Sequence, residues 1–157
     1  MVARINSVMA LQIPAVLSQP EGGGGGSVAT EKPAMLCVED DSQLRNMFSR
    51  IFARSFSVTV ACNGREALDI LQREGGRFRL VLTDVDMPVM SGFELVAALN
   101  SGKAQQFTGA IMVMSGKLSH HIDQIIKLGV PEANCLEKPF SGLEAISVIL
   151  GVLATLK

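Results

Sequence analysis

The segment Leu80–Gly92, with the sequence LVLTDVDMPVMSG, limits what this chain can fold into more than any other segment. The largely apolar run Phe78–Leu82 leads almost directly to Asp84, which predicts a buried strand with a carboxylate at its carboxyl end. Pro88 lacks an amide donor and Gly92 tolerates positive φ, so we expect the chain to leave the strand through a shaped loop. Open α/β sheets place their ligand sites at this edge. Asp84 is therefore expected at the mouth of a crevice.

Other predicted strands also end on polar or charged residues. An apolar run near the start of the domain is followed by the acid pair Glu39 and Asp40. Later apolar runs are followed by Ser115 and by Lys138. Because the carboxyl ends of parallel strands meet at one edge of a sheet, these side chains are expected to lie close to Asp84.

Strand-like and helix-like segments alternate along the chain, as in βα units around a parallel sheet. The predicted strands cover residues 35–38, 57–61, 78–82, 110–114 and 133–137. The predicted helices are a first one capped by Ser42 and then residues 65–74, 93–99, 119–128 and 143–156. Five strands and five helices fit a flavodoxin-like, doubly wound α/β fold with strand order 2-1-3-4-5.

Length and charge indicate one domain and argue against binding to nucleic acid. With 157 residues, 48% of them hydrophobic, the chain can bury a sizeable core, and typical domains have roughly 100 to 200 residues. We therefore expect no second domain with an output function. The net charge of -1 offers no basic patch of the kind that nucleic-acid binders carry.

The first 32 residues are predicted to be a flexible tail, and residues 33–157 the folded domain. The tail contains Gly22–Gly26, which has the composition of a flexible linker. Residues 1–18 are mildly apolar, so a targeting peptide is an alternative, but Gln12 and Pro14 interrupt them. The run is also shorter than the roughly 20 residues of a membrane helix. An odd number of cysteines without metal-ligand spacing predicts reduced thiols and a cytoplasmic location.

An acid pair, an aspartate, a hydroxyl and a lysine, each closing an apolar strand in that order, resemble the receiver domain of two-component response regulators. The likeness covers residues 34–156. It implies a stand-alone receiver in a His-Asp phosphorelay, either a phosphoryl shuttle or sink, or a regulator that binds a partner protein. The implied donor is a histidine kinase or a histidine phosphotransfer protein. The implied chemistry is a phosphoacceptor that catalyses its own phosphorylation and dephosphorylation, rather than an enzyme with a separate substrate.

The resemblance also implies a magnesium site. Three carboxylates close together repel one another, and Mg²⁺ prefers oxygen ligands. By the resemblance, Asp40 and Asp84 bind the ion directly, Glu39 binds it through water, and Asp86 binds it through its backbone carbonyl.

Three further roles follow from the same resemblance. Asp84 is the nucleophile that takes the phosphoryl group. Lys138 pairs with the phosphoryl oxygens, and Ser115 donates a hydrogen bond to one of them.

One position departs from the family pattern. The family usually has Tyr or Phe three residues before the lysine, and here Cys135 stands there. A thiol has no ring to turn, so we expect weaker coupling between phosphorylation and the distant face, unless a neighbour such as Phe140 carries the signal. His120 and His121 are expected to be solvated helix positions.

Two alternatives remain open from the residues alone. Asp84-Val85-Asp86 resembles the D-x-D nucleophile and acid of haloacid-dehalogenase-like phosphohydrolases, but Pro88 stands where that family has Thr or Val. The acid pair of this chain also precedes the D-x-D segment instead of following it. The second alternative is a degenerate receiver used only as a scaffold, which the presence of all five site positions argues against.

The predicted last helix, residues 143–156, is apolar on almost every side. One side must pack on the sheet, and Ala145, Val148 and Val152 are expected to stay exposed unless another molecule covers them. The sequence therefore predicts a homodimer or the docking of a partner through this helix.

Overall fold

A computed structural model describes residues 31–156, which form one parallel sheet with helices on both faces. The sheet order is β2-β1-β3-β4-β5, so the predicted flavodoxin-like fold is confirmed. The strands are β1 (Ala34–Val38), β2 (Ser57–Ala61), β3 (Phe78–Asp84), β4 (Ala110–Ser115) and β5 (Cys135–Glu137). The helices are α1 (Ser42–Phe52), α2 (Gly64–Glu74), α3 (Gly92–Asn100), α4 (Leu118–Lys127) and α5 (Gly142–Ala154).

The predicted flexible tail, residues 1–32, lies outside the described residues except for Glu31 and Lys32. Its boundary with the domain stays a prediction. None of the helices within residues 31–156 is long and apolar enough to span a membrane.

Side chains of the central strands alternate between two faces of the sheet. Leu80 and Leu82 of β3 pack with α1 and α5, whereas Val81 between them packs with α2 and α3. A third cluster joins Val113 of β4 to Ile125 of α4. Helix α4 therefore packs beside β4, close to the edge at which that strand ends.

The start of α1 differs from the prediction by one residue. Asp41, and not Ser42, is the N-cap, because its carboxylate accepts the N–H groups of Gln43 and Leu44 at 2.8 and 2.9 Å. This cap places the first turn of α1 directly after the acid pair. Among the apolar residues of α1, Phe48 and Phe52 are buried but Met47 is 43% exposed.

The orientation predicted for the last helix is wrong. Ala145 and Val152 are buried in the core under the sheet, and Val148 packs against the same cluster. The exposed large apolar residues of α5 are instead Leu143, at 82%, and Leu150, at 50%. A sequence that is apolar on most sides contains little information about which side faces the sheet.

The last strand is also shorter than predicted. Residues Glu132–Asn134 form a 3₁₀ turn, and β5 begins only at Cys135. The strand nevertheless delivers Lys138 to the predicted edge.

Candidate functional site

Three carboxylates from two strand ends converge at the carboxyl edge of the sheet. Glu39 and Asp40 follow β1, and Asp84 is the last residue of β3. One oxygen from each lies within 4.8 Å of the others. Glu39 and Asp84 are only 1% and 6% exposed, whereas Asp40 is exposed. The structure thus brings together the three side chains predicted as metal ligands.

Lys138 bridges the two buried carboxylates. Its Nζ lies 2.9 Å from Asp84 Oδ1 and 3.1 Å from Glu39 Oε2. The backbone N–H of Lys138 donates to the carbonyl of Ser115 at 2.8 Å, which ties the end of β5 to the end of β4. The ammonium is therefore held at the carboxylates by the sheet itself and not by a mobile surface loop.

Burial makes the charged forms of these acids costly. Burial raises the pKa of Glu39 and of Asp84, and in each case the bonded ammonium of Lys138 opposes the rise without cancelling it. Burial lowers the pKa of Lys138, but the bonds to Asp84 and Glu39 outweigh that effect, so its pKa lies above the ordinary value. A single ammonium therefore leaves the two carboxylates incompletely compensated, and a further cation is favoured.

The donor set fits a hard divalent cation. The oxygens of octahedral Mg²⁺ lie about 2.1 Å from the ion, so neighbouring ligands are about 3 Å apart and opposite ones about 4 Å apart. The carboxylate oxygens, within 4.8 Å of one another, are nearly this close already.

Gly92 is needed next to Asp84 for a reason other than its φ angle. Its N–H donates to the carbonyl of Val85 at 2.9 Å, and a Cβ at Gly92 would overlap the carbonyl oxygen of Asp84. The expectation that positive φ matters here is wrong. Within residues 31–156 the positive-φ glycines are Gly102 and Gly129, and the loop after β3 instead places Val89 at φ 70°.

Ser115 ends β4 and is 1% exposed. Its Oγ accepts the backbone N–H of Lys117 at 3.0 Å and forms a hydrogen bond with Nδ1 of His121 at 2.9 Å. The structure therefore brings Ser115 to the predicted edge, but its hydroxyl is already engaged by a helix residue.

His121 is the site residue that the sequence prediction missed. It was expected to be solvated, yet its side chain is 17% exposed and lies between Ser115 and the loop after β3. The signal was present in the spacing, since Leu118, His121, Ile122 and Ile125 follow the i, i+3, i+4, i+7 pattern of a buried helix stripe. His120, its neighbour, is exposed as predicted.

Asp86 is exposed in the loop that follows β3. One oxygen of its carboxylate, Oδ1, lies 3.8 Å from Nε2 of His121, so the side chain faces the histidine. That its backbone carbonyl binds a metal stays a prediction.

Cys135 and Phe140 lie in different clusters. Cys135 packs with Val113 and Phe93 on the α4 side, where burial first and Glu132 second raise the pKa of its thiol to about 11. Phe140 stacks on Phe48 of α1 with ring centroids 5.2 Å apart. Phe140 therefore does not occupy the space beside Cys135.

Comparisons with known proteins agree on one family. The family model described as the response regulator receiver domain matches residues 35–149. The chain is 31% identical over 120 residues to a transcriptional regulatory protein CpxR homolog of Haemophilus influenzae, which covers 76% of this chain and 49% of that protein. It is 27% identical over 138 residues to the two-component response regulator ARR7 of Arabidopsis thaliana, covering 82% of this chain and 64% of that protein.

A solved structure gives the same result. The chemotaxis protein CheY4 of Vibrio cholerae superposes with a TM-score of 0.68 at 29% identity, covering 77% of this chain and 98% of CheY4. By contrast, the chain spans about half the length of the bacterial CpxR relative. The match argues against the phosphohydrolase alternative, because the family model covers all of the strand ends that form the site. The chain therefore belongs to the family of response regulator receiver domains, the signalling domains of two-component systems.

Proposed function

We propose that Asp84 accepts a phosphoryl group from a phosphohistidine of a histidine kinase or of a histidine phosphotransfer protein. The chain would then act in a His-Asp phosphorelay, as a shuttle or sink or as a regulator that binds a partner. The observation that carries the proposal is a nearly buried carboxylate at a strand end, 2.9 Å from a lysine ammonium and beside two more carboxylates. That the receiver works without an attached output domain stays a prediction.

The chain's own residues define the transfer step. A carboxylate oxygen of Asp84 attacks phosphorus, the P–N bond to the donor imidazole breaks, and the imidazole nitrogen keeps the electron pair. Lys138 Nζ is already within hydrogen-bond distance of Asp84, so a small movement takes it to an oxygen of the new acyl phosphate. Ser115 would donate to another phosphoryl oxygen. The chain would thus catalyse its own phosphorylation, and attack of water on phosphorus would later break the acyl phosphate into free Asp84 and inorganic phosphate.

Mg²⁺ is the cofactor that this site would hold. Asp40 and Asp84 would bind it directly, Glu39 through water, and Asp86 through its carbonyl. When bound there, the ion would neutralise charge that develops on the phosphoryl oxygens. The support from this chain is the convergence of three carboxylates within 4.8 Å of one another, together with burial that raises the pKa of Glu39 and of Asp84 despite the bonded Lys138.

The proposal also includes docking through α5, now by the residues of this helix that the structure leaves exposed. Leu143, 82% exposed, lies in the first turn of α5, five residues after Lys138, and lines a groove of about 430 Å³ with Arg50 of α1 and Arg54, which follows that helix. We propose that the phosphodonor protein docks at this groove through an apolar surface with acidic residues around it. A homodimer through α5 is the alternative that the same experiment detects.

The expected location is the cytoplasm. The support is chemical: Cys37, Cys62 and Cys135 are all free thiols, and reduced cysteines persist in that compartment.

Asp84→Asn tests the phosphoacceptor directly. The substitution keeps the side-chain shape but removes the attacking oxygen, so Mg²⁺-dependent labelling by phosphoramidate should vanish while the circular dichroism spectrum stays the same. Asp69→Asn, at an exposed acid of α2, is the matched control and should label like the wild type. Labelling of Asp84→Asn at the wild-type level would refute the assignment, and absence of labelling in the wild type would favour the scaffold alternative.

A further inference from the structure

The ring of His121 occupies a position between three elements of the fold. Its Nδ1 is 2.9 Å from Ser115 Oγ at the end of β4. It forms a T-shaped contact with the ring of Phe93 in α3, with centroids 5.4 Å apart and planes at 89°. His121 itself belongs to α4, so one side chain connects the predicted phosphoryl site to that helix.

A serine hydroxyl has one proton and two lone pairs. The N–H of Lys117 occupies one lone pair of Ser115 at 3.0 Å. The carboxylate of Asp86, 3.8 Å from Nε2 of His121, favours the ring tautomer with its proton on Nε2. In that tautomer Nδ1 is an acceptor, and Ser115 donates its single proton to it.

We propose that His121 is a positioning residue that competes with the phosphoryl group for the proton of Ser115, and that this competition couples phosphorylation to α4. The inference rests on the proposed function, in which Asp84 is phosphorylated and Ser115 donates to the phosphoryl group. Once Ser115 turns to a phosphoryl oxygen, Nδ1 of His121 loses its donor. The ring is then free to leave its contact with Phe93, and α4 moves with it.

In the proposed coupling, the ring of His121 has two distinct arrangements. In one, the ring is held by Ser115 and packed against Phe93. In the other, the bond from Ser115 is gone, and a side chain that is 17% exposed can reach solvent. A ligand shifts such an equilibrium by its differential affinity for the two states. Here the difference is one hydrogen bond, because Ser115 can donate its proton either to His121 or to the phosphoryl group but not to both. Cys135, in the same cluster as Phe93, has no ring to contribute.

The first measurement is nuclear magnetic resonance of the full chain with beryllofluoride and Mg²⁺ as the phosphoryl analogue. Before addition, long-range ¹H–¹⁵N spectra should show His121 with a bare Nδ1 and a protonated Nε2. After addition, amide shifts should change around Asp84 and along α4. A proton on Nδ1 before addition would overturn the proposal, because Ser115 would then have its own proton free.

Variants at His121 separate hydrogen bonding from packing. His121→Phe keeps a ring beside Phe93 but cannot accept from Ser115, so the rate of phosphorylation by phosphoramidate should rise about fivefold, which corresponds to about 1 kcal/mol. The α4 amide shifts on beryllofluoride addition should shrink in the same variant. His121→Asn places an amide near the position of Nδ1 and should restore both wild-type values.

Controls make the test specific to the Ser115–His121 pair. His120→Phe changes the exposed neighbour on the same helix and should leave the rate and the shifts unchanged. In Ser115→Ala, adding His121→Phe should have no further effect on the rate, since the shared proton is already absent. Equal and independent effects of the two substitutions would refute the coupling.

The outcomes also distinguish this inference from the proposed function. If beryllofluoride with Mg²⁺ shifts no amides around Asp84 in the wild type, the phosphoacceptor proposal fails. If those amides shift but His121→Phe behaves like the wild type in rate and in α4, only the role of His121 is wrong.

Discussion

Asp84 and Glu39 share the ammonium group of Lys138, at 2.9 and 3.1 Å, and this sharing determines the energetics of the site. A buried carboxylate costs several kcal/mol unless its charge is compensated. One cation cannot compensate two such groups fully, which is why the pKa of each acid remains above its ordinary value. At the residue scale, the site therefore carries excess negative charge where it would bind Mg²⁺ and the phosphoryl group.

Gly92→Ala tests how closely the backbone must approach the nucleophile. A Cβ there would overlap the carbonyl of Asp84, so we expect a loss of about 1 to 3 kcal/mol of unfolding free energy and slower labelling by phosphoramidate. Gly151→Ala is the matched control because a Cβ there meets nothing within 4 Å. Its position inside α5 should make it stabilising by about 0.5 to 1 kcal/mol. Wild-type stability and labelling in Gly92→Ala would show that the loop tolerates a shift of Asp84.

Among the elements, α5 shows how packing selects one face of a helix that is apolar on most sides. Ala145, Ile149 and Val152 meet the sheet, and Leu143 and Leu150 are left outside. The capping box formed by Ser141 and Glu144 fixes where the helix starts, close to Lys138. Leu143, at the exposed start of α5 where we propose that the donor docks, consequently follows Lys138 by only five residues.

Leu143→Glu tests docking at this end of α5. A charge placed in an apolar contact should reduce the rate of phosphotransfer from a phosphorylated histidine phosphotransfer protein at least tenfold, with labelling by small phosphoramidate unchanged. Leu150→Glu is the control, since it lies on the same face two turns further from the site and should have little effect. Equal loss in both variants, with a change of mass in sedimentation, would indicate a homodimer through α5 instead.

For the whole molecule, the site charges link stability to pH and to metal. The pKa of Asp84 in the folded chain is raised above 3.8, so its ionised form destabilises the fold at neutral pH. This destabilisation disappears as the pH falls through the raised pKa toward 3.8, because the folded chain binds the proton more readily than the unfolded one. The raised pKa of Lys138 acts in the alkaline range, where its stabilisation is lost as the pH rises through the folded value.

Asp84→Asn should therefore be more stable than the wild type at pH 7 without divalent cations, because it removes a buried charge whose pKa is raised. The difference should shrink as the pH is lowered toward 4, where the wild-type carboxyl is protonated. Added Mg²⁺ should stabilise the wild type but not the variant. Urea unfolding at several pH values, with and without Mg²⁺, measures all of these changes. A difference that grows on acidification would contradict the raised pKa.

The strand ends and their chemistry were predictable from the sequence. Short apolar runs that are followed by turn residues predict the strands that lead to Glu39, Asp84, Ser115 and Lys138. Alternation of strands and helices predicts a parallel sheet, in which the carboxyl ends of these strands lie at one edge. Local pattern therefore predicted the fold class and the residues that meet at the edge, and the strand order followed from the flavodoxin-like fold that the pattern fits.

Only the tertiary structure decided which groups contact one another there. The sequence predicts His121 as a surface residue, but the packing of α4 against β4 brings its ring into contact with Ser115. The buried face of α5, and the need for Gly92 beside the Asp84 carbonyl, also depend on how separate elements approach. These contacts join residues from different elements, and no local period specifies the distance or rotation between packed elements.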